Sequence, residues 1–319
     1  MQTTFQGLFH TLIGASHLNS GTVCQDSSDF QATEHYAIAV VADGHGSKKH
    51  FRSDVGSRLA VEATVAAVSQ YYTDPELFEE TICEDPERVI RNIEKNIIAR
   101  WDQAVHTHFR EHPFTPEEQR PFTETEFAKL KLEAVYGTTL IIGVIGSCFT
   151  FGMQIGDGSL VIIEEDAMAD MPIEDDETAP ANVTASLCNS YAIDMFRSFF
   201  LPDKALAVFV STDGLYTSFR STDDFLDYHS IIASRLEKPE AFDRIVKRNL
   251  EKRTHFGTQD DISLSCAWDV EIMRNSLDAL RQQVERNKML APLREAEHKA
   301  RLQRQHEQRM RLIGEETQQ

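Results

Sequence analysis

Cysteine is scarce and scattered: five residues in 319, Cys24, Cys83, Cys148, Cys188 and Cys266, with no Cys-x-x-Cys pair among them. That spacing makes no zinc signature, and an odd number of isolated thiols fits a reducing compartment better than a disulfide framework. Long apolar runs are missing too. None approaches the roughly 18 to 20 residues that cross a bilayer as a helix, and residues 1–12 lack the cationic start and small-residue cleavage site of a secretory signal. The expectation is a cytoplasmic protein without a membrane partner. Basic residues are outnumbered, 32 against 51 acidic, for a net charge of −19. A surface of that sign repels nucleic acid, whose affinity for proteins is largely electrostatic, so no nucleic-acid partner is expected and nuclease activity is disfavoured.

What is present suits a large folded unit. Apolar residues make up 41% of the chain, enough for a sizeable core in one large domain or two small ones. The character changes near residue 270. Segment 271–319 holds ten basic and eight acidic side chains, a net of +2, so residues 1–270 carry a net charge of −21. Ile272, Met273, Leu277, Leu280, Val284, Met289 and Leu290 are spaced as one apolar stripe of a helix. Pro292 is expected to kink or interrupt it. The expected division is a domain over 1–270 and a charged helical extension over 271–319, read as a solvated helix with a partner-binding helix as the alternative.

Within the first 270 residues, the apolar run 35–41 ends at Asp43-Gly44 and reads as a buried strand feeding a turn. Residues 54–72 and 86–109 read as helices, the prolines between 111 and 121 as a loop, and 138–145, 149–155, 160–163, 206–210 and 262–268 as strands. Gly146-Ser147 marks a tight hairpin, the acidic stretch 166–180 an exposed loop, and 222–235 and 239–252 further helices. Strands grouped with strands and helices with helices argue α+β, with helices covering antiparallel sheets.

Four segments share a chemical theme: Cys24-Gln25-Asp26, Ala42-Asp43-Gly44-His45-Gly46, Ser211-Thr212-Asp213-Gly214 and Gln259-Asp260-Asp261-Ile262. Carboxylates at strand ends can converge on a hard divalent cation from several directions, and glycine after aspartate lets a backbone carbonyl join them. Asp-Gly is also among the commonest turn dipeptides, so no segment carries the reading alone. His106, His108 and His112, at mixed spacing, read as surface residues.

Together with three further blocks these segments resemble the metal-dependent type 2C serine/threonine protein phosphatases, in particular their divergent bacterial branch. The blocks, in the family's order, are Gly14-Ala15-Ser16-His17 with 21–26; Val40-Val41-Ala42-Asp43-Gly44-His45-Gly46 with 57–63; Gly137-Thr138-Thr139-Leu140; Ile155-Gly156-Asp157-Gly158; Val210-Ser211-Thr212-Asp213-Gly214-Leu215; and Asp260-Asp261-Ile262-Ser263-Leu264. Six ordered blocks are specific where one is not. The resemblance implies a four-layer α-β-β-α sandwich of two antiparallel sheets. It implies two Mg²⁺ or Mn²⁺ ions bridged by Asp43, with the carbonyl of Gly44 on one ion, Asp213 and Asp260 completing the other's shell, Asp26 acting through water, and Asp157 at a third, weaker metal site. Asp43 and His45 are the implied catalytic residues. The ions would lower the pKa of a shared water, giving a hydroxide for direct attack on phosphoserine or phosphothreonine, while His45 protonates the departing oxygen. A phosphorylated protein and a cognate serine/threonine kinase are the implied partners.

The sequence departs from the family in places. Gly21 stands where many relatives have a phosphate-gripping arginine, which leaves His17, Lys48, Lys49, His50 and Arg52 as candidates by proximity; the lysine pair reads equally as a solvated loop. Asp261 replaces a common asparagine and either strengthens metal binding or repels Asp260. Segment 73–133 reads as an insertion shaping substrate access. A phosphatase-like binding module and a phosphoesterase for small phosphates remain the rival readings.

Overall fold

Successive side chains along a strand point to opposite faces, and β3 (Ala37–Asp43) is apolar on both. Ala37, Ala39 and Val41 enter one buried cluster with Ile141, Val208 and Val210, whereas Ile38, Val40 and Ala42 enter another with Leu59, Ile93 and Trp101. Such a strand belongs in the middle of a sandwich with a packed layer on each side. The computed structural model describes residues 5–173 and 184–316, and its described residues form two five-stranded antiparallel sheets. One sheet runs β2 (Asp26–Ala32), β3, β4 (Leu140–Ile145), β5 (Thr150–Ile155) and β8 (Arg197–Leu201). The other runs β1 (Phe5–Leu12), β10 (Ile262–Asp269), β9 (Ala207–Ser211), β6 (Ser159–Ile163) and β7 (Ala169–Asp170). The expected hairpin is β4–β5, closed by the Gly146 N–H donating to the Phe149 carbonyl.

Helices cover both outer faces, giving the α-β-β-α sandwich that the resemblance implies. On the β3 side lie α2 (Ser53–Tyr71), α3 (Pro75–Glu84) and α4 (Pro86–Glu111). The last two begin with proline in the first turn behind Asp74 and Asp85, whose carboxylates accept the Leu77 and Arg88 amide protons. On the β9 side lie α9 (Thr222–Ala233), α10 (Pro239–Phe256) and the start of α11 (Val270–Glu316). Five short helices occupy connections: α1 (Ala15–Ser20), α5 (Pro116–Gln119), α6 (Glu124–Phe127), α7 (Leu132–Val135) and α8 (Asp213–Tyr216). Among the described residues no helix is long and apolar enough to cross a membrane.

Three expectations change. Most of segment 73–133 is layer rather than appendage, because α4 buries Val89, Ile90, Ile93, Ile97, Trp101 and Val105 against α2 and the sheet. The connection 112–131 approaches the turn at 48–52 through Phe51–Phe114 and Phe51–Phe122 ring contacts. Helix α11 continues through Pro292 without interruption. Flanking anchors explain this: Met273, Leu277, Leu280 and Val284 are buried on one side, and on the other Arg294 reaches Asp227 at 3.2 Å and Asp223 at 3.5 Å. From Met289 onward the apolar side chains of the stripe are exposed. The expected loop 166–180 contains β7 at its start, and its residues 174–180 lie outside the described residues.

Helix α4 also buries a carboxyl. Glu94 is 3% exposed, and burial pushes its pKa from 4.5 up to about 7 despite Arg91, whose guanidinium is 3.4 Å away and also engages Asp194 at 2.5 Å. Between pH 4.5 and 7 the folded chain then keeps a proton that the unfolded chain has lost, so this group's contribution to stability falls as pH rises through that window. Glu94→Gln, uncharged at every pH, is expected to match the native melting temperature at pH 5 and exceed it by a few degrees at pH 8. Thermal denaturation at the two pH values checks this.

Candidate active site

Strand ends gather the aspartates at one end of the sandwich. Asp26 opens β2 and Asp43 closes β3, directly opposite each other in register. Asp157 lies in the β5–β6 turn, Asp213 two residues past β9, and Asp260 two residues before β10. Gly44 must be glycine. A Cβ there would sit 2.6 Å from the Ser53 carbonyl and 2.7 Å from that of Gln25, so only a bare backbone passes beneath the start of α2. The end of β3 is pinned from β4's side: the Asp43 N–H donates to Thr139 Oγ1 at 3.0 Å, and its carbonyl accepts from Thr138 Oγ1 at 2.9 Å and the Thr139 N–H at 2.8 Å.

Asp26 reaches across to the opposite sheet. It is 7% exposed, and Thr212 Oγ1 donates to its Oδ2 at 2.8 Å while accepting the Ser263 N–H at 2.9 Å. Burial raises the pKa of Asp26 well above the carboxylate range, with Thr212 opposing and Asp261 adding to the shift. Asp43 is raised as well, first by its dense surroundings, although part of the residue stays accessible, then by Asp26, Asp213, Asp157 and Asp260. Asp213 is pushed up to about 6 by burial, Asp157 and Asp260, against the pull of its hydrogen-bond contact with the Asp43 carboxyl. Crowded carboxylates of this kind are a donor set for hard divalent cations. The arrangement is more open than a preformed cage. Among the described residues, the three-ligand group with atoms mutually within 4.8 Å is instead Asp102, His106 and Glu133, largely exposed on α4 and α7.

His45 follows Gly44, its N–H donating to the Gly137 carbonyl at 3.1 Å. Its ring centroid lies 4.8 Å from that of His50, whose Nδ1 meets the Ala134 carbonyl. Burial, then His50, pushes the His45 pKa down to about 4, with Asp157 opposing. Burial on this turn disfavours the imidazolium.

The basic candidates separate cleanly. Arg52 is 7% exposed and fully engaged, donating through Nε to Glu118 at 2.5 Å, through Nη2 to the same carboxylate at 2.8 Å, and through Nη1 to Tyr136 Oη at 2.8 Å and the His112 carbonyl at 2.6 Å. It clamps connection 112–131 and has no reach left for a phosphate. Lys48 pairs with Glu126 at 3.8 Å and lies over the Phe122 ring. His17 Nδ1 sits 3.0 Å from Asp261 Oδ2, close enough for an ion pair though off the line of a hydrogen bond. Lys49 is exposed, has no charged partner among the described residues, and its charge is felt at both His45 and His50. Gly21 caps α1 with φ 73°, a conformation strained for any side chain, so an arginine there would work against its own backbone.

Asp261 is tied into the backbone around it. It is 4% exposed and accepts the Gly14 N–H at 2.8 Å and the Gln25 N–H at 2.7 Å, joining the residue before β10 to the residues just ahead of α1 and β2. Thr212 and Gln25 are likewise structural partners that the motifs contained without revealing. Gln25 Nε2 donates to Ser53 Oγ at 2.8 Å, and its carbonyl accepts the Gly44 N–H at 3.1 Å. Only the side chain's own polarity beside an apolar strand signalled any of the three.

Comparison with known proteins follows the same outline. No curated relative matches by sequence. Among solved structures, a bacterial serine phosphatase superposes with a TM-score of 0.52 at 15% identity, covering 83% of this chain and 98% of its own. PppA of Pseudomonas aeruginosa, described as a key regulatory component of the type VI secretion system, gives 0.52 at 15% over 83% and 97%. The catalytic domain of the serine/threonine phosphatase PstP, in complex with two manganese ions, gives 0.50 at 14% over 83% and 97%. At these identities the likeness establishes the fold. Membership rests on the sequence itself, which matches the protein phosphatase 2C family over residues 13–252. The chain belongs to the protein phosphatase 2C family.

Proposed function

We propose that this protein is a metal-dependent phosphatase of phosphoserine and phosphothreonine in proteins, opposing a serine/threonine kinase. Asp43, the Gly44 carbonyl, Asp213 and Asp260 would hold two Mg²⁺ or Mn²⁺ ions, Asp26 would contribute through water, and Asp157 would belong to a third site. The observation that carries this reading is the convergence of strand ends: Asp26 lies opposite Asp43 in register, Asp157 in the β5–β6 turn, Asp213 just past β9 and Asp260 just before β10, near enough that all four disfavour the charged form of Asp43. When bound, such ions supply an activated water and neutralise phosphoryl charge.

The chain's own groups do the rest. Thr138 and Thr139 hold the backbone of Asp43, and Thr212 holds Asp26, so the carboxylates need little reorganisation. His45 is neutral before substrate arrives, and a phosphate dianion beside it favours the imidazolium, placing a proton where the departing alkoxide needs one. Lys49, the candidate cation without a partner among the described residues, takes the place of the missing arginine in gripping the phosphate. Lys49→Ala is expected to raise KM for a phosphothreonine peptide about tenfold with kcat nearly unchanged, as loss of one charge-assisted contact would; steady-state kinetics at fixed ionic strength measures it.

The test is hydrolysis of a phosphothreonine peptide and of p-nitrophenyl phosphate with Mn²⁺, with Mg²⁺ and with chelator, alongside calorimetric titration of Mn²⁺ into the protein. Turnover that follows bound metal supports the reading. Tight Mn²⁺ binding without turnover on either substrate would move the reading to a phosphatase-like binding module, and turnover of the small ester alone to a small-molecule phosphoesterase.

A further inference from the structure

Lys49 is distinguished by its neighbours. It lies in one turn of 3-10 helix, Lys48–His50, and is exposed, yet the residues beside it are fastened down. His50 is buried with Nδ1 on the Ala134 carbonyl, and Phe51 packs edge-on against Phe114, ring centroids 5.3 Å apart. Lys48 pairs with Glu126 and lies 4.5 Å from the centroid of the Phe122 ring. Arg52 grips both oxygens of Glu118, with its guanidinium 4.8 Å from the centroid of Phe114. Except for the Ala134 carbonyl, the partners just named belong to connection 112–131. The two carboxylates are themselves held before they meet a cation. Thr115-Pro116-Glu117-Glu118 and Thr123-Glu124-Thr125-Glu126 are capping boxes that open α5 and α6, in which the Thr115 N–H donates to Glu118 Oε2 at 2.7 Å and the Thr123 N–H to Glu126 Oε2 at 2.8 Å. Neither helix contains a buried residue, so core packing does not account for them.

We propose that Glu118 and Glu126 are positioning residues for phosphate binding: they hold the turn at 48–52 so that Lys49 is presented to the substrate phosphate. This rests on the reading of Lys49 as the phosphate-gripping cation. A lysine on a loose turn loses part of its attraction for phosphate to ordering the backbone beneath it. On a turn fixed at positions 48, 50, 51 and 52, only the lysine's own rotamers remain to be ordered. The two glutamates are unequal. Arg52 is 7% exposed and meets Glu118 through two nitrogens at 2.5 and 2.8 Å, the geometry of a strong charge-assisted pair. Lys48 and Glu126 are both exposed and 3.8 Å apart, a pair of the kind that contributes little. Glu118 therefore carries most of the effect.

The experiment is a double-mutant cycle in the full-length chain, read by steady-state kinetics on a phosphothreonine peptide with Mn²⁺. Glu118→Gln keeps the shape of the side chain and an oxygen for the capping box but loses the charge. It is expected to raise KM about fivefold with kcat nearly unchanged, and Glu126→Gln to raise it less than about twofold. In the Lys49→Ala background, Glu118→Gln should change KM by less than about 1.5-fold, because the turn then has no lysine to present. Calorimetric titration of inorganic phosphate in the presence of Mn²⁺ should show the same pattern in Kd, which keeps the test independent of turnover. A native KM and Kd in Glu118→Gln, a fall in kcat alone, or an equal effect of Glu118→Gln in both backgrounds would each overturn the proposal while leaving the reading of Lys49 intact. Unchanged KM and Kd in Lys49→Ala would overturn both.

Discussion

Asp43→Asn is expected to lower metal-dependent turnover of both the phosphopeptide and p-nitrophenyl phosphate by about 10³-fold, because it removes a charge from the centre of the carboxylate set proposed to hold the ions. The same substitution should have the opposite effect on the metal-free fold. Asp43 is destabilised as an anion by burial and by four neighbouring aspartates, so an amide at that position relieves repulsion that the native chain carries until a cation arrives. The metal-free variant should therefore melt above the metal-free native protein, and the rise in melting temperature on adding Mn²⁺ should shrink. Calorimetric or fluorescence melting with and without Mn²⁺ measures both. A variant that loses activity but melts lower without metal would point to simple structural damage. An active variant would remove Asp43 from the centre of the site.

His45→Ala separates two substrates. A serine or threonine oxygen leaves poorly without a proton, whereas p-nitrophenolate is stable on its own. If the imidazole delivers that proton, kcat for the phosphothreonine peptide should fall by about 10²-fold while p-nitrophenyl phosphate is hydrolysed at close to the native rate. Equal losses on both substrates would instead assign His45 to positioning of the turn, where its ring lies tilted beside His50 and its N–H donates to Gly137. The neutral resting state of His45 makes this a demanding test, since the proton must be taken up in the presence of substrate.

Much of this architecture was legible from residue order, and what was not legible has a common cause. The strands read directly, β3, β4, β5, β6, β9 and β10, lie inside their sheets and are buried on both faces, which writes them as apolar runs. Those that escaped, β1, β2, β7 and β8, are the four sheet edges. An edge strand is only half-covered, so Asp-Ser-Ser-Asp-Phe-Gln-Ala in β2 carries no run to notice. Helix α3 escaped because Phe78 and Ile82 are the only buried side chains in it.

At the site, residue types and order pointed to Asp26, Asp43, Asp157, Asp213 and Asp260, and the fold brings them to one end. Proximity in sequence served the basic residues badly. Lys48, Lys49, His50 and Arg52 fall within five positions, yet Arg52 turns inward to Glu118, His50 to Ala134, and Lys48 sideways to Glu126. Those partners lie 66 to 84 residues away and leave no local trace. Asp261 is the same lesson in reverse: one residue from Asp260, it serves as an acceptor for the backbone of a loop some 240 positions earlier.

The ladder joining β1 to β10 pairs Leu12 with Ile262, the first strand of the chain with the last. Asp260 therefore reaches the other aspartates only after almost the entire chain has been synthesised. During translation, the emerging polypeptide can assemble the sheet that carries Asp26 and Asp43, but the full ligand set is completed when the final strand leaves the ribosome and closes against the first. Acquisition of metal would then mark the end of folding, and a chain truncated before residue 260 would lack both Asp260 and β10, the strand that joins β1 to β9.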